Sequence, residues 1–421
     1  MYIPYEKIGQ ILNKALKNEK IKNFFCNLKV EQNVNYVAQN KPIVLNKLKN
    51  KLEREEKLIV VFHVYDETKW KCQYLYNLFD NDSKFTPQIL VSKTAASNPD
   101  NPSYQGINDV KKTYAYFKEK GLNVEYAYDT VNENFIPFEK FSPDIIFYQH
   151  PWYVERAQGP VVCSKFALTS YIPYFFSIEP INIDCGLRFH KYIESYYVLD
   201  EYTKKRYEEI AGLKNLRIVG NPYLDYFKQN QPVEKEYVIY APHWTFGGKG
   251  VALGTFEWSG NFMLEYAKTH PEIKWIFKPH PLLFKALTDN NLMTKEEAEN
   301  YYNEWGKIGI KYESGDYLGL FEKSKMMITD CSSFLGEYFM TQNPLIHLMS
   351  QSPQFNNSEN PILKTFYRAY NLDELKSLLE TLPKNDTMHD LRAEIFEKSG
   401  LKENCASQKI VDDILNQIYS V

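Results

Sequence analysis

A run of small polar residues stands at the predicted junction between a buried strand and a helix. The segment MITDCSSFLGEYF (327–339) begins with apolar residues, ends in a helical pattern, and carries Asp330, Ser332 and Ser333 in between. The first backbone N–H groups of a helix lack partners within the helix, and the helix dipole is positive there. Such a terminus binds phosphate, and serine hydroxyls add hydrogen-bond donors. A helix cap explains one small polar residue, but a run of them favours a phosphate site.

Three of the eight histidines follow predicted strands, at the sheet edge where open α/β proteins bind their ligands. His150 follows IIFYQ, His243 follows VIYAP, and His280 follows WIFKP, which also contains Lys278. A lysine is a point charge for phosphate, and a histidine can donate a hydrogen bond to an anionic oxygen. We therefore expect Lys278, His280 and the serine pair to hold a diphosphate and to stabilise the charge on a leaving nucleotide.

Three further residues are candidate site residues, and each is supported by a single sequence feature. We place His63, in VVFHVYDETKW (60–70), on a loop after the first strand that opens onto the cleft, as a candidate to bind an acceptor. The alternative, which we favour, is structural: this segment starts a helix capped by Thr68. We expect Glu313, at the end of the strand segment IKYES (310–314), to bind a ribose hydroxyl. Gly220, in RIVGNPYLDYF, would permit a tight turn and a close backbone approach between domains.

The composition indicates a globular protein of two domains. The chain has 421 residues, of which 44% are hydrophobic, and its net charge is −3. This length suits two domains of about 150–200 residues each. The charge argues against a dedicated nucleic-acid-binding protein, which would carry a basic excess. The six cysteines form no CxxC pair, so we expect reduced thiols and no metal site.

The elements that must position these residues alternate between strands and helices. KLIVVFHVY (57–65), TPQILVS (86–92) and PDIIFYQHPW (143–152) are apolar runs of the kind buried in parallel sheets, and a second series starts at EKEYVIYAPHW (234–244). This order predicts an α/β fold of two doubly wound, Rossmann-like domains that face each other across a cleft. We expect an N-terminal acceptor-side domain over 1–217, a nucleotide-donor domain over 218–385, and C-terminal helices over 386–421 that pack back on the core.

The N-terminal segment is predicted to be helical and basic. YEKIGQILNKALKNEKIKNFF (5–25) places Ile8, Leu12, Leu16 and Ile21 near one face, with lysines elsewhere. We favour a helix packed on its own domain, and the alternative is contact with anionic lipid. We see neither a signal peptide nor an apolar run of about 20 residues. We therefore expect a cytoplasmic protein, with peripheral contact at the inner face of the membrane as the open alternative.

Three motifs in the second half resemble those of the CDP-glycerol glycerophosphotransferases of teichoic acid and capsule polymer synthesis. These are YAPHW (240–244), FKPHP (277–281) and TDCSSFLGEYFMTQNP (329–344), in the family's order and at comparable spacing. The resemblance covers mainly residues 218–350. It implies the GT-B arrangement and the transfer of a glycerol-phosphate-like group from a CDP-linked donor to an acceptor hydroxyl, with release of CMP.

The resemblance also implies roles for individual residues. The family's first-domain general base matches His150, and its donor-phosphate residues match His280, Ser332 and Ser333. It implies no cofactor, and a glycan or polymer acceptor. The chain departs from the family's pattern where Pro151 and Trp152 follow His150 and where Thr245 follows Trp244. These departures leave the transferred group open.

Two other functions remain compatible with the sequence. One is a GT-B glycosyltransferase or sugar-nucleotide epimerase that uses a UDP-sugar. The other is a non-catalytic binding module of a capsule assembly complex. Preference for UDP over CDP would favour the first, and hydrolysis of a donor would exclude the second.

Overall fold

The polypeptide forms two α/β lobes. The structure, a computed structural model, describes residues 19–95, 108–175, 177–179, 185–228, 233–246, 252–312, 317–350, 355, 358–401 and 405–421. Glu313 and most of the predicted N-terminal apolar face (Ile8, Leu12 and Leu16) lie outside the described residues, and the side chain of Ile21 is not described either.

The first lobe is built on a parallel sheet in the order β3-β2-β1-β6-β7-β8-β9. Its strands are β1 (Leu58–Val64), β2 (Phe85–Val91), β3 (Val124–Tyr126), β6 (Ile145–Tyr148), β7 (Leu168–Tyr171), β8 (Ser195–Val198) and β9 (Leu216–Ile218). A two-stranded antiparallel ribbon joins β4 (Tyr128–Asp129) to β5 (Asn134–Phe135). The central strands are apolar and β-branched because helices cover both faces of a parallel sheet.

The helices of the first lobe pack on this sheet. They are α1 (Glu19–Glu53), α2 (Gln73–Asn81), α3 (Val110–Glu119), α4 (Pro160–Cys163), α5 (Arg188–Lys191) and α6 (Glu201–Ala211). The buried carboxylate of Asp144 ties α1 to the sheet, because it pairs with Lys47 at 3.1 Å and Lys51 at 2.5 Å and accepts the N–H of Ile59. Val44 and Leu48 of α1 are also buried in the hydrophobic core of the first lobe. This helix therefore packs on its own lobe.

The second lobe repeats this architecture. Its parallel sheet has the order β12-β11-β10-β13-β14-β15, with strands β10 (Tyr237–Ala241), β11 (Lys274–Phe277), β12 (Ile310–Lys311), β13 (Ser324–Thr329), β14 (Leu345–Leu348) and β15 (Tyr367–Ala369). Its helices are α7 (Phe256–Thr269), α8 (Leu283–Asp289), α9 (Lys295–Ile308), α10 (Leu318–Glu322), α11 (Ser332–Phe339), α12 (Leu372–Thr381) and α13 (His389–Lys398). The predicted α/β fold with two doubly wound sheets is confirmed.

Each sheet has a switch point, where the strand order changes direction. In the first lobe it lies between β1 and β6, and in the second between β10 and β13. Loops leave such a pair of strands in opposite directions and open a crevice at the carboxyl edge, where α/β proteins bind ligands. His150 follows β6, His243 follows β10, and Ser332 follows β13, so these predicted site residues lie at the two crevices.

The chain crosses between the lobes twice. It leaves the first lobe at Gly220, whose φ of +96° is in the region that favours glycine, and whose Cα lies beside Ala406. It returns with α14 (Ala406–Tyr419), which packs on α1 and α2. Asp225 accepts the N–H groups of Ala406 and Ser407 at 2.8 Å each and so caps α14. The boundaries at 217 and 385 stay predictions.

Within the described ranges, no helix is both long enough and apolar enough to cross a bilayer.

Candidate functional site

The carboxylate of Asp330 joins three segments below the second-lobe crevice. Its Oδ1 accepts the N–H of His243 at 2.6 Å, and its Oδ2 accepts the N–H and hydroxyl of Thr255 at 2.6 and 2.8 Å. Asp330 is 1% exposed, and burial raises its pKa to about 6. Asp330 belongs to the polar run that predicted a ligand site, but both of its oxygens are engaged by the protein. Its role here is to hold the loop after β10 and the start of α7.

Two histidines and a tryptophan cluster above that carboxylate. The rings of His243 and His280 are 5.2 Å apart, and those of Trp244 and His280 are 5.7 Å apart. The N–H of Leu282 donates to His280 Nδ1 at 3.1 Å, so a neutral His280 carries its proton on Nε2. Burial lowers the pKa of His243 to about 4 and that of His280 to about 3. Near pH 7 both rings are therefore neutral hydrogen-bonding groups rather than cations.

Lys278 is a buried cation surrounded by aromatic rings. Its side chain is 6% exposed, and its Nζ lies 4.6 Å from the ring centroid of Tyr317 and 5.0 Å from that of Phe334. Among the described residues, it has no carboxylate within ion-pair distance. Desolvation lowers its pKa to about 8. The buried carboxylate of Glu337 acts in the opposite direction, from beyond ion-pair distance. A buried ammonium without an ion-pair partner is unfavourable, so this position suits an anionic ligand.

The two serines stand at the first turn of α11, where the sequence placed them. Cys331 precedes the helix and makes no side-chain capping bond, and Ser333 Oγ is 3.4 Å from its Sγ. Thr329 fixes the junction from below, because its hydroxyl donates to the carbonyl of Ala241 and accepts the N–H of Cys331. Ser332 and Ser333 are half-buried. This end of α11 can therefore supply donors to an anion beside Lys278.

His150 lies at the end of β6 under an aromatic cover. Tyr174 stacks on its ring with centroids 4.3 Å apart and planes 9° apart, and Tyr65 contacts it edge-on at 5.6 Å. The residue is 6% exposed, and its Nε2 has no hydrogen-bond partner among the described residues. The expectation of an imidazole open at the cleft rim is therefore wrong in this conformation. Burial keeps its pKa well below the ordinary value, so the ring is neutral.

His63 was predicted to lie on the loop after the first strand, and this is wrong. It belongs to β1, is 2% exposed, and contacts the rings of Phe138 and Tyr148 edge-on. Burial lowers its pKa to about 3. The prediction failed because the strand extends one residue beyond His63 and both faces of the sheet are covered. Thr68 caps no helix either, since it donates to Asp66, the residue that caps Glu67–Lys69.

Gly220 lies away from this cluster, in the first crossing between the lobes. Its part in the fold is explained by its positive φ and by the approach of Ala406. Among the described residues, no group of three or more histidine, cysteine or acidic side chains could hold a metal ion.

Two lysines in the segment TKWK (68–71), which were not among the predicted site residues, lie beside the candidate site. Lys71 Nζ donates to the Tyr317 hydroxyl at 3.0 Å, across the two lobes, and lies 3.6 Å from the ring centroid of Tyr223. Lys69 Nζ lies 5.2 Å from the ring centroid of Tyr174, the ring that stacks on His150. Two lysines directly after the first predicted strand were the available signal, because they stand at a switch point.

The fold was compared with proteins of known structure. A UDP-GlcNAc 2-epimerase from Neisseria meningitidis bound to UDP-GlcNAc is similar over 86% of this chain and 100% of its own, with 13% identity and a TM-score of 0.55. A putative UDP-N-acetylglucosamine 2-epimerase from Listeria monocytogenes is similar over 87% and 98%, with 12% identity and a TM-score of 0.56. The wall teichoic acid polymerase TagF is similar over 93% and 98%, with 13% identity and a TM-score of 0.52.

These similarities concern the fold. No protein-family model matches the chain, and no curated protein matches it. At identities of 12–13% the matched structures establish architecture but not activity. The chain has the two-lobed GT-B fold, with its candidate site at the carboxyl edges of both sheets.

Proposed function

We propose that this protein transfers a glycerol-phosphate-like group from a CDP-linked donor to an acceptor hydroxyl, in the synthesis of a cell-surface polysaccharide or teichoic-acid-like polymer. The observation that carries the proposal is Lys278, a buried ammonium with aromatic neighbours and no ion-pair partner among the described residues, beside the serine-tipped start of α11. A diphosphate placed there would supply the missing negative charge.

The donor phosphates contact the second lobe. Lys278 faces them as a point charge, and Ser332 and Ser333 donate from the helix start. His280 adds a neutral donor, because Leu282 occupies its Nδ1 and leaves the proton on Nε2. Negative charge grows on the departing CMP as the bond between the phosphorus of the transferred group and the bridging oxygen breaks, and these fixed donors stabilise that charge.

The acceptor is activated from the first lobe. His150 takes the proton of the acceptor hydroxyl as its oxygen bonds to the phosphorus of the transferred group, and CMP leaves with the electron pair of the broken bond. The ring is neutral and its Nε2 has no partner among the described residues, so it can accept a proton. Tyr174 covers His150, so the acceptor must displace that ring.

A panel of nucleotides tests the donor. We would measure thermal stabilisation of the full chain by CDP, UDP, ADP and GDP at equal concentration. The proposal expects the largest stabilisation by CDP. Preference for UDP would overturn the cytidine donor and favour a UDP-sugar enzyme, a reaction class represented by the epimerase solved with UDP-GlcNAc.

The acceptor and the place of action are parts of the same proposal. We infer a glycan or polymer acceptor, no nucleic-acid partner, and action in the cytoplasm with peripheral contact at the membrane through the N-terminal helices. Co-sedimentation with anionic vesicles tests the membrane contact, with neutral vesicles as the control. Equal recovery from both vesicle types would contradict it.

A further inference from the structure

Lys69 occupies a rigid loop at the first-lobe switch point. The loop's turn is Glu67–Lys69, and Asp66 begins it by accepting both the N–H and the hydroxyl of Thr68, at 2.9 and 2.8 Å. On the other side, Trp70 is buried and its indole N–H donates to Gln73 at 3.0 Å. Lys69 therefore leaves the loop between two anchored neighbours, which fixes the direction of its backbone.

The acidic residues of this loop are used elsewhere. Glu67 pairs with Lys112 at 2.6 Å and accepts the hydroxyl of Thr113 at 2.7 Å. Asp66 serves the turn itself. Lys69 has no ion pair with any described residue, and the group closest to its Nζ among the aromatic contacts is the ring of Tyr174, at 5.2 Å. Its ammonium is thus half-buried and forms no ion pair with a described carboxylate; burial lowers its pKa, and the charge of Asp66 acts in the opposite direction.

The loop that carries Lys69 reaches both lobes. Lys69 Nζ lies 5.2 Å from the ring of Tyr174, which stacks on His150, and Lys71 Nζ donates to the hydroxyl of Tyr317 in the second lobe. The ring of Tyr317 lies 4.6 Å from Lys278 Nζ. Burial is the main cause of the lowered pKa values of His150 and His280, and the charge of Lys69 contributes to both. Cations from both lobes therefore converge at the gap between the two switch points.

We infer that Lys69 is a phosphate-binding residue, which holds the transferred phosphoryl group from the first-lobe side, between His150 and His280. This inference rests on the proposed function and adds a residue that neither the sequence motifs nor the resemblance assigned. The ammonium contacts non-bridging oxygens of the phosphate next to the departing CMP. In CDP the corresponding group is the β-phosphate, which CMP lacks.

The comparison between CDP and CMP isolates this contact. We would measure Kd for both nucleotides by calorimetry with the full-length wild type, Lys69→Met and Lys69→Arg. Losing one charge-assisted contact to the β-phosphate is expected to weaken CDP binding about tenfold or more in Lys69→Met. CMP binding should change less than about twofold, and Lys69→Arg should recover most of the CDP affinity because its charge is retained.

Lys93→Met is the matched control. Lys93 is also half-buried in the first lobe, and its Nζ also lies 5.2 Å from a tyrosine ring, that of Tyr128. Its replacement should leave the ratio of the two Kd values unchanged. An unchanged ratio in Lys69→Met, with normal binding by the wild type, would overturn the role of Lys69 alone. Failure of the wild type to bind any nucleoside diphosphate would overturn the proposed function together with this inference.

The same measurements distinguish recognition of the nucleobase from recognition of the β-phosphate. If the wild type binds UDP and not CDP, the measurement is repeated with UDP and UMP. A tenfold loss confined to UDP in Lys69→Met would then support the phosphate contact while contradicting the cytidine donor. An equal loss for UDP and UMP would instead show a general effect on the site and overturn the contact.

Discussion

The ammonium of Lys71 donates a 3.0 Å hydrogen bond to the hydroxyl of Tyr317, although the two residues are 246 positions apart and belong to different lobes. Lys71 is buried, and it also lies 4.6 Å from the Tyr317 ring centroid and 3.6 Å from that of Tyr223. The contact joins the loop after β1 to the start of α10. This hydrogen bond connects the crevice of the first lobe to that of the second.

We expect Lys71→Met and Tyr317→Phe each to lower the free energy of unfolding by about 1 kcal/mol, since each removes one partner of a partly buried hydrogen bond. The double variant should lose less than the sum, by about 0.5–1 kcal/mol, because the pair interacts directly. Denaturant unfolding measures all three. Tyr114→Phe serves as the control. Tyr114 stacks on Tyr126, and its hydroxyl makes no hydrogen bond with any described residue. Strict additivity of the two single effects would contradict the coupling.

His150→Ala should reduce turnover of a CDP-linked donor by about 10²–10⁴-fold, the range typical for removal of a general base. Donor binding should survive, because His150 belongs to the lobe opposite Lys278 and the serines. Single-turnover rates and the Kd for CDP measure the two effects separately. His389→Ala, at an exposed position on α13, is the control. Near-normal turnover by His150→Ala would show that another group removes the proton.

Affinity for CDP should fall as the pH rises above about 8. Burial lowers the pKa of Lys278 to about 8, so its ammonium is present below that pH and is lost above it. An anion binds the protonated form, and above pH 8 the protein must take up a proton in order to bind. The neutral His243 and His280 do not titrate in this window, because their pKa values are about 4 and 3.

Calorimetric titrations from pH 7.5 to 9.5 measure this dependence, in a range where the phosphates of CDP are already ionised. Lys278→Arg should flatten the curve, because a guanidinium stays charged throughout. A wild-type affinity that stays constant across this pH range would contradict the contact between Lys278 and the phosphates of CDP.

Gly220→Ala should destabilise the protein by about 1–3 kcal/mol. An added Cβ would stand 3.2 Å from the Cβ of Ala406, and the φ of +96° is unfavourable for alanine. Gly212→Ala is the matched control, since Gly212 has a φ of +62° with nothing within 4 Å of an added Cβ. It should cost about 1 kcal/mol from the backbone alone. Equal losses of unfolding free energy in the two variants would show that the approach of α14 contributes nothing.

Much of the candidate site could be located from the sequence because strand ends in a parallel sheet share one edge. Apolar runs such as IIFY and YVIYA marked the strands β6 and β10, and the histidines that follow them fell at the switch points. The serine pair at the start of α11 followed from the same local pattern. A short apolar run and the residue that ends it are neighbours in the chain, so local reasoning is sufficient there.

What the tertiary structure decided is which side chains face a ligand. The sequence alone determined two parallel sheets and the edge at which their polar residues gather. It did not determine that Tyr174 covers His150, that Asp330 is used by His243 and Thr255, or that Lys71 reaches Tyr317. Those contacts join residues far apart in the chain. They depend on how loops fold over the sheet edges and how the lobes meet, and no local hydrophobic pattern encodes either.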